Sequence, residues 1–411
     1  MKPRLTAICL AILYSVVAAA GPEPAPEVTA ADGRSFSGRL VSLSKAEAVF
    51  QTDTGRRTMP LAELWSIRLG DSEKLMWQPG QKVVVLAGER EQWLSAGRLA
   101  VKDDKITVEN KLLGQVELEM SAVRAMYLPR PGQSPDYCRK RHLEMKLPAA
   151  GTDYLVAEDA KGNWVPVAGV LKSISAEKVL FEFEGVDRTV DINLVRVIEL
   201  ARIAKAPSGL AGYLVGRDGT TVGFASLSLA GSSLSTQAGA VSAKAVQLSA
   251  LAEIRFTSDR CVHLSDLAPA KVVQDGLFDV AFGYRSDRST AGGPIRLGGT
   301  TYSKGLGLHS RCEISYDLQA QYAGFAAVAG IDDAIGWGNA QLKILGDGKE
   351  LIKPLKLVAK AKPVPISCDV TGVKVLSLVV DFGDDGVDVG DHVSLAEARL
   401  IKPQATTARG E

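Results

Sequence analysis

YSKGLGLHSRCEISYDL, Tyr302 to Leu318, joins a Gly-Leu-Gly-Leu-His run to an alternating apolar and polar segment. A Gly-x-Gly beside a histidine can mark a phosphate loop, a metal site or a ligand-facing turn. A phosphate loop needs a strand before the glycines and a helix after them. Here the residues from Glu313 onward alternate as a half-buried strand does, and no helix opens. Gly305 and Gly307 are therefore expected to permit a tight β turn. His309 reads either as a ligand-facing group or as a buried, hydrogen-bonded core histidine.

Outward from this stretch the pattern stays β. Phe325-Ala326-Ala327-Val328, Gln341-Leu342-Lys343-Ile344-Leu345 and Val375-Leu376-Ser377-Leu378-Val379-Val380 read as sandwich strands. Gly346-Asp347-Gly348 marks a hairpin turn. A β segment of about 140 residues suits a jelly-roll sandwich, placed at 261–403 with 404–411 as a disordered tail.

Upstream the chain repeats itself. Gly38 precedes Ile67, Gly97 precedes Met126 and Gly169 precedes Ile198 by 29 residues each, and Gly223 precedes Ile254 by 31. Each copy carries short alternating runs split by turn residues, then a polar-plus-leucine step such as Pro60-Leu61-Ala62-Glu63-Leu64, then a last apolar strand. The fold class expected is all-β: four small SH3-like or Sm-like repeats at 21–70, 71–130, 151–203 and 204–260, followed by the sandwich. Residues 131–150 are expected to form a linker, a hinge between two pairs of repeats. Trp65, Trp93 and Trp164 do not share a repeat position and read as packing residues.

The formal net charge of +1, from 48 basic and 47 acidic residues, gives no case for nucleic acid or an anionic membrane. Lys2 and Arg4, the apolar run Leu5 to Ala20 and the small residues Ala18-Ala19-Ala20 predict a signal peptide over 1–20 and export to periplasm or exterior. No second apolar run of spanning length follows. After cleavage Cys138, Cys261, Cys312 and Cys368 remain. They allow three pairings, with Cys312–Cys368 favoured because both fall in strand-like segments of one domain, or they are buried small hydrophobes.

Taken in order, LSDL (264–267), GGTTYSKGLGLH (298–309), YDL (316–318), GIDD (330–333), GDGK (346–349), VTGVKVLSLVV (370–380) and DHVSLAEARL (391–400) resemble the NPCBM domain family. The resemblance covers about a third of the chain and implies a β-sandwich of the kind that accompanies glycoside hydrolases. Some members bind galactose-type sugars and hold a structural calcium ion. The family commonly carries a tryptophan after the Asp-His pair, whereas here Asp391-His392 is followed by Val393-Ser394-Leu395-Ala396-Glu397. Trp337, in AIGWGNA, is the aromatic that can take its place against a sugar face. The carbohydrate-binding candidates are thus His309, Trp337, Asp391, His392 and Glu397. His392 and Glu397 read equally as structural residues of the terminal strand. Asp332, Asp333, Asp384 and Asp388, with Asp385 in the same acidic loop, are candidate oxygen ligands for Ca2+ or a solvated polar surface.

A glycosidase needs two carboxylates set across a cleft, and nothing in the sequence pairs them so. No Gly-x-Ser-x-Gly elbow, His-Glu-x-x-His or paired Cys-x-x-Cys pattern occurs. The sequence reading is an exported, non-catalytic glycan-binding protein whose repeats act as a spacer or protein-interaction platform. The alternatives are an envelope adaptor working through protein contacts and an unrecognised glycoside hydrolase or its accessory.

Overall fold

The computed structural model describes residues 26–69, 78–87, 92–148, 151–201, 209–237, 241, 243–258, 260–275, 282–302 and 304–403. The signal peptide expected at 1–20 and the tail at 404–411 lie outside the described residues. The chain is nearly all β. Among the described residues no helix is long and apolar enough to cross a membrane.

The first unit runs through strands Glu27–Ala30, Ser35–Ser37, Arg39–Leu43, Glu47–Thr52 and Gly55–Pro60. A single 3-10 turn, Leu61–Glu63, then leads into a closing strand, Leu64–Arg68. The same close recurs as Met120–Ala122 and Val123–Tyr127, as Ile192–Leu194 and Val195–Glu199, and as Leu248–Ala250 and Leu251–Phe256. The polar-plus-leucine step of the sequence is this turn. The spaced glycines sit where a strand bends from one sheet to the next. At Gly169 a Cβ would lie 2.1 Å from the Glu182 carbonyl oxygen, so only glycine lets the two backbones approach.

The closing strands are buried along nearly their whole length because each pairs with a strand of another unit. Ile67 of unit 1 faces Ile254 of unit 4, and Met126 of unit 2 faces Ile198 of unit 3. Single bridges Thr221–Trp93 and Ile174–Val101 tie unit 2 to units 4 and 3. One continuous core, including Val28, Phe50, Ile106, Phe181, Phe224 and Ile254, runs through all four units. Small β units that would be marginal alone share their apolar burial in this way.

The stretch expected as a linker and hinge at 131–150 contains a helix. Pro135–Glu144 is an α-helix, with the Ser134 hydroxyl accepting from the Tyr137 N–H and Pro135 in the first turn. Cys138 and His142 bury its inner face. The His142 ring lies 3.2 Å from the Tyr127 hydroxyl and 3.0 Å from Glu199, so the helix bridges the closing strands of units 2 and 3. The units therefore pair as 1 with 4 and 2 with 3.

The described residues of 261–401 form two main facing sheets. One runs Arg285–Ser286, Gly305–His309, His392–Ile401, Gly324–Ile331, Val364–Asp369, with Cys261–His263 added to the long strand His392–Ile401. The other runs Lys271–Gln274, Cys312–Asp317, Val375–Phe382, Asn339–Gly346, Lys349–Glu350, with Leu355–Val358 beside Asn339–Gly346. Leu308, Ile314, Phe325, Leu342, Leu378 and Leu395 fill the space between. Asp347 and Gly348 have φ of 49° and 79°, the pair of positive values that a two-residue hairpin turn requires.

Two expectations fail here. Gly305–His309 is a strand rather than a turn. Its glycines serve close approach: a Cβ on Gly307 would meet the Arg288 carbonyl oxygen at 2.3 Å, and one on Gly305 the Leu395 carbonyl oxygen at 2.4 Å. The favoured Cys312–Cys368 disulfide is absent, and all four described cysteines are free. Cys312 lies on one sheet and Cys368 on the other, and burial raises both thiols to about 11.

Candidate functional site

His309 and His392 are direct cross-strand neighbours at one end of the first sheet. Their rings meet edge to face with centroids 5.0 Å apart. The Phe282 ring stacks on His309 at 4.2 Å and lies 5.9 Å from His392. His309 is 2% exposed, beneath this ring, and its Nδ1 donates to the Ser310 carbonyl oxygen at 2.9 Å. His392 is half-buried, and its Nδ1 shares a 2.6 Å hydrogen bond with the Thr290 hydroxyl. Burial lowers the pKa of both histidines, and for His392 the charge of His309 adds to it. Two uncharged imidazoles therefore stand side by side at neutral pH.

Asp391 is buried beside them. Its carboxylate accepts from the Ser310 hydroxyl at 2.6 Å and the Asn339 N–H at 3.2 Å. Burial raises its pKa to about 6, with Asp385 and Asp388 adding repulsion while the two hydrogen bonds pull the other way. Its oxygens hold the loop in place rather than face outward. Trp337 is 64% exposed. It packs on Gly390, where an added Cβ would stand 2.6 Å from its ring. Phe282 and Trp337 are exposed and His392 half-buried, with Trp337 on Gly390, two residues before His392, and Asp385 and Asp388 in the loop before Asp391.

Glu397 does not belong to this group. It lies farther along the strand, where its carboxylate accepts from Trp65 Nε1 at 3.1 Å and contacts His263 Nε2 at 3.3 Å. The sequence also gave no notice of Phe282. It sits alone in AFGY, without a motif, and only the folding of its segment over the strand ends brings it onto His309.

The acidic residues do not gather. Asp332 accepts from the N–H of Arg296 and Ala334 and from the Ser394 hydroxyl. Asp333 accepts from the N–H groups of Gly298 and Gly299. Both anchor the hairpin of Ile295–Leu297 and Thr300–Tyr302. Asp384 pairs with Lys356 at 3.0 Å on an exposed surface. Among the described residues no three His, Cys, Asp or Glu side chains stand together as a metal-binding set.

Residues 260–401 match the family model of the NPCBM/NEW2 domain. A stretch of 90 residues is 39% identical to a protein of Renibacterium salmoninarum that carries the provisional name endo-alpha-N-acetylgalactosaminidase. That match takes in 22% of this chain and only 6% of the relative's length. Among solved structures, a CBM51 of a Clostridium perfringens GH95 protein in complex with methyl-galactose is 25% identical, covering 34% of this chain and 99% of that one, with a TM-score of 0.31. A Clostridium perfringens structure of CBM51-2 in complex with GlcNAc, with INT domains, is 22% identical over 48% of this chain and 38% of that one, with a TM-score of 0.31. The match therefore takes in the whole sandwich and leaves the four units outside it.

Proposed function

We propose that the NPCBM domain binds glycan across Phe282, His392 and Trp337, within an exported and non-catalytic protein. Phe282 carries this reading. It is 41% exposed, held rigid by His309 beneath it and set beside His392. Apolar C–H faces of a pyranose pack on such a ring, and imidazole nitrogens and loop carboxylates supply hydrogen bonds to its hydroxyls. His309 and Asp391 are positioning residues in this scheme, the first through its stack on Phe282 and the second through the loop it ties down. Export rests on the charged and apolar segments at 1–20 and on the family's carbohydrate-binding character.

The test is calorimetric titration of the full chain with monosaccharides and short glycans, galactose-type sugars included, with calcium and with chelator. Saturable binding to one sugar class, weakened in Phe282→Ala and Trp337→Ala, is the expected result. Binding that both variants leave unchanged would remove this surface from the site. Absence of binding across the panel from folded protein would favour the adaptor reading, which draws on the missing family tryptophan. Turnover of any glycan would instead support the hydrolase alternative.

A further inference from the structure

At the other end of the strand His392–Ile401 the register against Gly324–Ile331 slips. Ala396 faces Val328 and Arg399 faces Ala326, leaving one extra residue between them on the longer strand. Glu397 takes a φ of +52° in this bulge. A positive φ is costly for a residue with a Cβ and is kept where the bulge re-aims a side chain. The bulge carries Glu397 out of the sandwich and onto units 1 and 4.

Its surroundings come from three segments. From unit 1, Trp65 donates to Glu397, and the Arg399 guanidinium lies 4.3 Å above the Trp65 ring. From unit 4, Arg255 is held by Glu253 at 2.8 Å and adds its charge to Glu397. From the start of the sandwich, His263 packs on Trp65 with ring centroids 5.2 Å apart. Arg399 also donates to the carbonyl oxygens of Ala31 and Ala30 at 3.1 and 3.2 Å. Around this centre the Asp32 carbonyl oxygen accepts from the Ser367 hydroxyl. Gly33 lies so close to Ala326 that a Cβ would stand 2.9 Å from the alanine methyl.

We propose that this bulge is a keyed joint, which makes the sandwich and the paired closing strands of units 1 and 4 one cooperative body. The partner surface is the Trp65 and Arg255 face of those two strands. It exists only when both units are paired, because Trp65 comes from one and Arg255 from the other. Glu253 and Arg399 are buried and Glu397 and Arg255 half-buried, so each loses water, and only the matched register returns the lost interactions. The joint therefore fixes a single orientation of the glycan-binding sandwich on the units. This inference stands on the interface contacts and is independent of which ligand the sandwich takes.

A protease recognition sequence inserted after Ser258 in the full chain tests it. After cleavage the two pieces should still elute together, and unfolding in urea should follow one transition. In Glu397→Ala the dissociation constant of the cut pieces should rise about 100-fold or more. Separation of the pieces cut from the otherwise unaltered chain would overturn the proposal, and that measurement needs no variant to fold. So would unchanged association in Glu397→Ala and Trp65→Ala.

Discussion

The long strand His392–Ile401 has a buried carboxylate at each of two places six residues apart, Asp391 just before it and Glu397 in its bulge. Burial pushes both acids up. At Asp391 the repulsion of Asp385 and Asp388 adds to burial, two hydrogen bonds only partly offset them, and the pKa stands at about 6. At Glu397 the His263 hydrogen bond and the charges of His263, Arg255 and Arg399 outweigh burial, and the pKa falls to about 2. Desolvation is common to both sites, so the charge of the neighbours decides the outcome. The charged neighbours that act on Asp391 are thus anionic, while those that act on Glu397 are cationic.

The largest effect should come from breaking the cationic end. Glu397→Ala removes the carboxylate that Trp65, His263, Arg255 and Arg399 surround, although Arg255 keeps Glu253, and is expected to cost about 3–5 kcal/mol in urea denaturation. A loss below about 1 kcal/mol would show that the cluster is solvated in solution.

The two acids should next give opposite slopes of stability against pH. Glu397 has a folded pKa below its ordinary 4.5, so its contribution is complete above about 4.5 and is lost as pH falls toward about 2. Asp391 has a folded pKa above its ordinary 3.8, so the folded state takes up a proton first and stability declines as pH rises from about 4 to about 6. Each is worth up to about 3 kcal/mol, at about 1.4 kcal/mol per pKa unit. Glu397→Gln should flatten the lower range and Asp391→Asn the upper one, read from urea midpoints across pH 2–7. The same slope in variant and parent would assign the titration to other groups.

A smaller change is expected at the aromatic end. Phe282→Ala should reduce glycan affinity about tenfold, about 1.4 kcal/mol, with little change in folding stability because the ring is partly exposed. Calorimetry paired with thermal unfolding separates the two. The smallest effect is expected at Lys356–Asp384, both well exposed, where Lys356→Ala should shift stability by less than about 0.5 kcal/mol.

Strand positions were legible because alternation reports burial directly. Val375–Val380 falls inside the observed Val375–Phe382, Gln341–Leu345 inside Asn339–Gly346, and Phe325–Val328 inside Gly324–Ile331. The Asp347-Gly348 turn was legible because it needs two positive φ values. The helix Pro135–Glu144 carried a readable start in Ser134-Pro135-Asp136, obscured by the glycine and prolines before it. Three features had no local signal. The pairing of unit 1 with unit 4 is a long-range choice among similar apolar strands. Phe282 joins His309 only through packing. The bulge at Glu397 places a glutamate in a backbone region that composition gives no reason to expect. Of the five carbohydrate candidates, the structure gathers His309, Trp337, Asp391 and His392 in one region and sends Glu397 elsewhere.

The pairing of the closing strands of units 1 and 4 also sets a timetable. Ile67 waits for Ile254, 187 residues later in the chain. At ordinary rates of synthesis that interval is about 10–40 s. Until then the strand Leu64–Arg68 is paired on one side with Glu27–Ala30, and its other edge is open to wrong partners. Contacts so distant in sequence slow folding, since the loop must close before they form. The molecule thus completes the pairing of its first unit only once its fourth has been made.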